Sequence, residues 1–123
     1  VMACFPDADA ALQAASDMQT RVAALPAFAE TRLGIRVGFH HGAVIEENGD
    51  YFGDAVNTAA RMAGLAKSGQ IITTAATVAA LSPLLRQGTR ELAALSVKGK
   101  QAEVAVCEVL WESGDDVTMV ASR

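Results

Sequence analysis

Three polar side chains at helical spacing are the residues of this sequence best suited to chemistry. A helix that begins near Asp54 turns by about 100° per residue, so Asp54, Asn57 and Arg61 would lie within roughly 60° of one another. Asn57 and Arg61 could grip one polyanionic group, because the planar guanidinium matches phosphate oxygens. The buried stripe is expected to contain Val56, Ala59, Ala60 and Ala63. An alternative that spacing leaves open is a solvated helix face with Asp54 as its N-cap.

A strand and a tight turn are predicted immediately before this helix. Residues 35–39 alternate apolar and polar side chains, and residues 43–45 are expected to continue the strand past a bend at Gly42. The cluster at residues 46–50 predicts a hairpin turn, because Asn48 and Gly49 tolerate the positive φ angles that such turns require. The turn would bring Asp50 close to the start of the helix.

The remaining elements alternate between strands and helices. Strands are predicted at residues 1–5, 70–73, 92–97 and 104–110, with a short helix at 74–81 that Ser82 and Pro83 should end. Residues 10–25 predict a long helix capped by Asp7 or Asp9. Its buried face is expected to contain Leu12, Ala15, Met18, Val22 and Leu25. The pattern predicts one α+β domain over residues 1–112, with helices on one face of a sheet, and a mobile tail at 113–123.

Composition excludes several classes of function. The chain of 123 residues is 51% hydrophobic, enough for one soluble domain with a core, and it has a net charge of −4. A negative charge gives no field that would attract a nucleic-acid backbone, so no nucleic-acid partner is predicted. The sequence has no apolar run long enough to span a bilayer, which predicts no direct membrane contact. Cys4 and Cys107 lack metal-ligand spacing and predict buried free thiols in a reducing, cytoplasmic compartment.

Four sequence blocks resemble, in order, the class III adenylate and guanylate cyclase catalytic domain. They read IRVGFHHG at residues 35–42, GDYFGDAVNTAAR at 49–61, GQII at 69–72 and VKGK at 97–100. The resemblance covers the chain from Val1 to about Trp111. It implies a ferredoxin-like βαββαβ core, truncated at its N-terminus, with an antiparallel-rich sheet on which helices pack. It also implies the conversion of ATP to 3′,5′-cyclic AMP and pyrophosphate at the interface of a head-to-tail homodimer.

The resemblance also implies roles for individual residues. Asp50 matches the residue that accepts a hydrogen bond from the adenine amino group. A carboxyl oxygen suits this role because it accepts hydrogen bonds from an exocyclic donor. Asn57 matches the residue that orients the ribose, and Arg61 matches the residue that stabilises charge on the transferring α-phosphoryl group. Lys98, with Lys100 as a second candidate, matches the loop that contacts the triphosphate. His41 departs from the small hydroxyl residue usual in the family.

Part of the family pattern is not found in this sequence. The resemblance implies two Asp residues that bind two Mg²⁺ or Mn²⁺ ions and a Lys that contacts the base, all expected upstream of Val1. The chain would therefore carry the base-binding and transition-state half of a site, would not catalyse alone, and could exchange strands with a second copy. Two alternatives stay open: a non-catalytic cyclase-like module that binds a nucleotide or dimerises, and a plain interaction domain.

Overall fold

The hairpin and the helix that carry the candidate site residues lie, in chain order, between two strands of a mixed sheet. A computed structural model describes residues 1–27, 31–96 and 103–112. Their helices and strands, in chain order, are α1 (Ala8–Ala23), β1 (Val37–Gly38), β2 (Ile45–Glu47), β3 (Asp50–Phe52), α2 (Asp54–Leu65), β4 (Ile71–Thr74), α3 (Ala75–Ala79), α4 (Pro83–Arg86), β5 (Thr89–Ser96) and β6 (Glu103–Val109).

The main sheet contains four strands in the order β1-β4-β6-β5, and β2 and β3 form a separate hairpin. β1 runs parallel to β4, whereas β4 and β5 each run antiparallel to β6. β1 and β4 can be parallel because the segment that joins them contains the helix α2, which returns the chain to the end of the sheet where β1 began. The predicted α+β fold with an antiparallel-rich sheet is confirmed.

Helices cover both faces of this sheet. Ile71 and Ile72 are adjacent in β4, so their side chains point to opposite faces, and both are buried. Ile71 packs in a cluster with Leu12 of α1, whereas Ile72 packs with Met62 of α2. The prediction that the helices lie on one face was therefore wrong. All four residues of β4 are buried, as expected for a central strand that is covered on both sides.

The helix α1 spans Ala8–Ala23, two residues earlier at each end than the predicted range 10–25, and it buries a different stripe. The Asp7 carboxylate accepts a hydrogen bond of 2.7 Å from the Ala10 N–H, which confirms Asp7 as the N-cap. Gln19 is buried, whereas the predicted core residue Met18 is 45% exposed. The Gln19 amide donates to the backbone carbonyls of Ile35 and Gln70, each at 3.0 Å. Because its donors are satisfied, a polar side chain can occupy this core position.

Gln19→Leu is expected to lower the free energy of unfolding by about 1–3 kcal/mol, because leucine keeps the volume but removes both hydrogen bonds. The protein has one tryptophan, Trp111, whose indole donates to the Gly69 carbonyl at 2.8 Å, so its fluorescence can follow urea unfolding. Gln13→Leu is the matched control, since Gln13 is exposed on the same helix. Equal stabilities for the two variants would show that the Gln19 contacts contribute nothing.

Two further predictions were wrong. Residues 1–5 form no strand, and Val1, Met2 and Phe5 are exposed, because no described segment pairs with their backbone. Residues 40–44 lie in no strand, so β1 and β2 are separate elements rather than one bent strand. The short helix predicted at residues 74–81 is present as α3 and ends before Pro83. Pro83 begins a further helix, α4, which was not predicted; as the first helical residue its missing N–H costs nothing.

The two cysteines lie in different environments. Cys107 is buried in β6, and burial raises the pKa of its thiol, with a further contribution from the charge of Glu91. Cys4 is exposed, so the prediction that both thiols are buried was wrong for Cys4, which belongs to the unpaired segment at residues 1–5. The predicted tail at 113–123 lies outside the described residues.

Candidate active site

The hairpin forms as predicted and places Asp50 beside the start of α2. Asn48 and Gly49 have φ angles of 54° and 83°, as a tight hairpin turn requires. Glu47 lies directly opposite Asp50, and Ile45 lies opposite Phe52. Cross-strand partners and alternate residues share a face, so the hairpin face with Asp50 also carries Glu47 and an apolar pair. The apolar pair is exposed, at 62% for Ile45 and 53% for Phe52.

Tyr51 lies on the other face of this hairpin, opposite Glu46. The negative charge of Glu46 raises the pKa of the Tyr51 phenol, and Cys4 and a hydrogen bond from the phenol to Glu46 act in the same direction. Because the shift is upward from 10.0, Tyr51 is neutral and can donate a hydrogen bond throughout the physiological pH range.

The helix α2 begins at Asp54 and follows the hairpin after one residue. Its N-cap is Gly53, whose φ of 130° is readily adopted only by glycine, and no side chain caps the helix. The alternative that made Asp54 the N-cap is therefore wrong. Asp54 is instead the first helical residue, where its charge is favourable to the helix dipole. One glycine thus connects the hairpin that carries Asp50 to the helix that carries Asn57 and Arg61.

The polar residues of α2 share an exposed face, as their spacing predicts. Asp54, Asn57 and Arg61 are all exposed. The buried residues of the helix are Ala55, Thr58 and Met62. The predicted core stripe was displaced, because Val56, Ala59 and Ala63 are only half-buried and Ala60 is exposed. The predicted stripe is the more apolar one, whereas the helix turns Thr58 and the fully buried Met62 towards the sheet.

A network that the sequence did not reveal lies on the sheet next to α2. The His40 Nδ1 atom lies 2.8 Å from the Thr74 hydroxyl and 3.2 Å from the Thr77 hydroxyl, and the two hydroxyl oxygens are 2.8 Å apart. Thr74 is also the N-cap of α3, accepting a hydrogen bond of 3.2 Å from the Thr77 N–H. The sequence signal for this network was a threonine at the end of a strand with a second threonine three residues later, because threonine is a common helix N-cap.

This network borders a cleft of about 280 Å³. The cleft is lined by His40, Thr58, Thr74, Ala75, Ala76, Val104 and Ala105. The backbone N–H of His41 donates to the Thr77 hydroxyl at 2.9 Å, while the His41 side chain is exposed. The two adjacent histidines therefore have different surroundings, and only His40 reaches the cleft.

The predicted site residues can now be placed. Asp50, Asn57 and Arg61 are exposed on the hairpin and the helix that follows it. Lys98 and Lys100 lie outside the described residues. In the part of the chain that the structure describes, no group of three His, Cys, Asp or Glu side chains is placed to hold a metal ion. The described residues therefore do not fit the two-ion site that the family implies.

Comparison with known proteins assigns the chain and its fold to one family. The sequence model of the adenylate and guanylate cyclase catalytic domain matches residues 3–108, which is most of the chain. The chain belongs to this family. Among the described residues, no helix is both long and apolar enough to cross a membrane.

Solved cyclase structures share the fold. An adenylate/guanylate cyclase/hydrolase from Silicibacter pomeroyi is 27% identical, with a TM-score of 0.75 over 86% of this chain and 64% of that one. The catalytic core of a rhodopsin-guanylyl cyclase with converted specificity, solved with ATPαS, is 28% identical, with a TM-score of 0.74 over 85% of this chain and 59% of that one.

A sequence relative is known from Mycobacterium tuberculosis. An uncharacterized protein of strain H37Rv is 44% identical over 50 residues, which cover 41% of this chain. The matched region spans 13% of that protein's length, and this chain covers less than two thirds of each of the two solved cyclases.

Proposed function

We propose that this chain forms the base-binding and transition-state half of a nucleotide cyclase active site. In the intact protein, the site converts ATP to 3′,5′-cyclic AMP and pyrophosphate. The observation that carries the proposal is the direct connection, through Gly53, of a hairpin bearing Asp50 to a helix that exposes Asn57 and Arg61. One polypeptide segment thereby presents an acceptor for a base, an amide for a sugar and a guanidinium for a phosphate.

Each side chain has a defined task in this reaction. The ribose 3′ oxygen attacks the α-phosphorus, the bond to the β-phosphate oxygen breaks, and the 3′ hydroxyl proton is lost as pyrophosphate leaves. Arg61 stabilises the charge that grows on the α-phosphoryl oxygens, and Asn57 holds the ribose. Lys98 or Lys100 contacts the triphosphate. Two Mg²⁺ or Mn²⁺ ions, held by ligands other than these residues, would supply activation of the 3′ hydroxyl and neutralisation of phosphate charge.

A second copy of the chain is the partner in this proposal. The hairpin face that carries Asp50 also exposes the apolar pair Ile45 and Phe52. Exposed apolar side chains beside a binding residue are typical of a site shared between two subunits. The head-to-tail homodimer that the family implies would cover them, and a strand-exchanged form is one version of this assembly. The domain would work in the cytoplasm, where ATP is available.

The choice of base can be tested with a charge-matched pair of variants. The intact protein is expected to convert ATP in preference to GTP, because a carboxylate at Asp50 accepts the adenine amino group and repels the guanine carbonyl. Asp50→Asn should lower the ratio of kcat/KM for ATP to kcat/KM for GTP by at least about tenfold. The free energy that corresponds to this change is roughly that of one hydrogen bond to a charged group. Glu47→Gln, with the same loss of charge on the same hairpin face, is the control. A change of similar size in both variants would contradict a specific role for Asp50.

One observation favours a second candidate function. Asp50, Asn57 and Arg61 are exposed and could bind a nucleotide without metal ions, as a non-catalytic module would. ATP would then raise the melting temperature of the intact protein by mass action, and no cyclic nucleotide would form with Mn²⁺ present. Formation of cyclic AMP would support the first proposal and contradict the second.

A further inference from the structure

Two glycines before the hairpin lie directly against the helix α2. A Cβ atom built at Gly38 would overlap the backbone nitrogen of Ala63 and lie 2.5 Å from the carbonyl carbon of Met62. A Cβ built at Gly42 would lie 2.9 Å from the Cβ of Ala55. Non-bonded carbon atoms sit about 3.5–4.0 Å apart at their optimum. A side chain at Gly38 would meet helix backbone and one at Gly42 would meet a methyl group of the helix, so either substitution requires the packed atoms to shift.

The two contacts, one from β1 and one from the loop after it, lie near opposite ends of the helix. A helix covers about 12 Å between residues 55 and 63, at 1.5 Å per residue. Residue 38 meets the C-terminal part of α2 and residue 42 meets its N-terminal part. Asn57 and Arg61 lie on the helix between these two contacts.

The helix, rather than the strand, would yield to an added side chain at Gly38. The N–H of Val37 donates to the carbonyl of Gln70 at 3.1 Å, and the N–H of Phe39 donates to that of Ile72 at 3.1 Å. These bonds hold both neighbours of Gly38 in the main sheet. The atoms that a new Cβ would meet belong to helix backbone, which cannot rotate away as a flexible side chain can.

We propose that Gly38 and Gly42 are positioning residues that set how far Arg61 and Asn57 extend towards the nucleotide. This inference rests on the proposed cyclase function. A methyl group at Gly38 must push α2 outward by about 1 Å, and a displacement of this size can lower the rate of a positioned reaction about 100-fold. The contact at Gly42 is with another methyl group and is less severe, so its substitution should have the smaller effect.

The test compares alanine substitutions at three glycines in the intact protein. Gly38→Ala is expected to lower kcat about 100-fold and Gly42→Ala about tenfold, with KM for ATP changing much less. Gly64→Ala is the matched control, because Gly64 lies within α2 and a Cβ there would meet nothing within 4 Å. Gly64→Ala should leave kcat unchanged. Turnover is normalised to the folded fraction, measured by Trp111 fluorescence, so that a loss of stability is not scored as a loss of positioning.

A compensating substitution separates positioning from general damage. Ala55→Gly removes the methyl group that a side chain at Gly42 would meet, so the double variant Gly42→Ala/Ala55→Gly should recover the kcat of Ala55→Gly alone. Comparison of Gly42→Ala with the double variant tests the inference even if Gly38→Ala does not fold. Full kcat in folded Gly42→Ala, or a double variant that stays impaired, would overturn the inference.

The failure of this inference can be distinguished from the failure of the proposed function. If Arg61→Ala lowers turnover while the glycine variants do not, the cyclase mechanism stands and the positioning role is overturned. If Arg61→Ala leaves turnover unchanged, the proposed mechanism fails, and with it the reason for positioning α2.

Discussion

Replacing Arg61 with alanine is expected to lower kcat of the intact protein by about 30- to 1,000-fold, with little change in KM for ATP. This range corresponds to about 2–4 kcal/mol of activation free energy, which is the size of effect seen when one donor to a developing oxyanion is removed. In the proposed mechanism the guanidinium interacts most strongly when charge accumulates on the α-phosphoryl oxygens, so its loss raises the free energy of the transition state more than that of the bound substrate. Steady-state kinetics with ATP measures both parameters.

Two controls sharpen this result. Arg61→Lys keeps the charge but loses the planar donor fork, and we expect it to recover only part of the lost rate. Arg21→Ala removes an exposed arginine of α1 that pairs with Asp17 at 2.9 Å, and it should leave kcat unchanged. Wild-type turnover in Arg61→Ala would remove this residue from the mechanism.

Met62→Ala is expected to lower the free energy of unfolding by about 2–5 kcal/mol, the range for a buried methionine truncated to alanine. Met62 is fully buried and packs with Ile72 and Val106 beneath α2. Truncation removes these contacts and leaves a cavity where the helix meets the sheet. Urea unfolding followed by Trp111 fluorescence measures the loss.

The control for this variant is another methionine. Met18→Ala truncates a side chain that is 45% exposed on α1, so its effect should stay within about 0.5 kcal/mol. Arg61 is adjacent to Met62 in sequence but points to solvent, and Arg61→Ala should also preserve stability. Equal stability losses in Met62→Ala and Met18→Ala would contradict the packing described here.

Local signals in the sequence were enough to predict the hairpin and the exposed face of α2. Asn48 and Gly49 constrain the turn through their own backbone preferences, and helical periodicity alone brings Asp54, Asn57 and Arg61 together. Such features depend on neighbouring residues in the chain. They are therefore recovered without knowing how distant segments pack.

Features that depend on distant segments were not predicted. Gln19 is buried because the carbonyls of Ile35 and Gln70 satisfy its amide, and neither partner is near it in sequence. Residues 1–5 have the composition of a strand, but strand formation requires a pairing partner that composition does not reveal. The close approach of Gly38 to α2 likewise becomes visible only when the strand and the helix are both in place.

The hairpin that carries Asp50 has its own two-stranded ladder, independent of the main sheet, whereas Arg61 belongs to a helix fixed in the core by Met62. In the proposed mechanism, selection of the base and stabilisation of the phosphate charge therefore depend on two separately supported parts of the molecule, which meet at Gly53. Substitutions in the hairpin that change base selection would then have little effect on the stability of the helix. A domain built in this way can change its preferred nucleotide during evolution while its reaction stays the same.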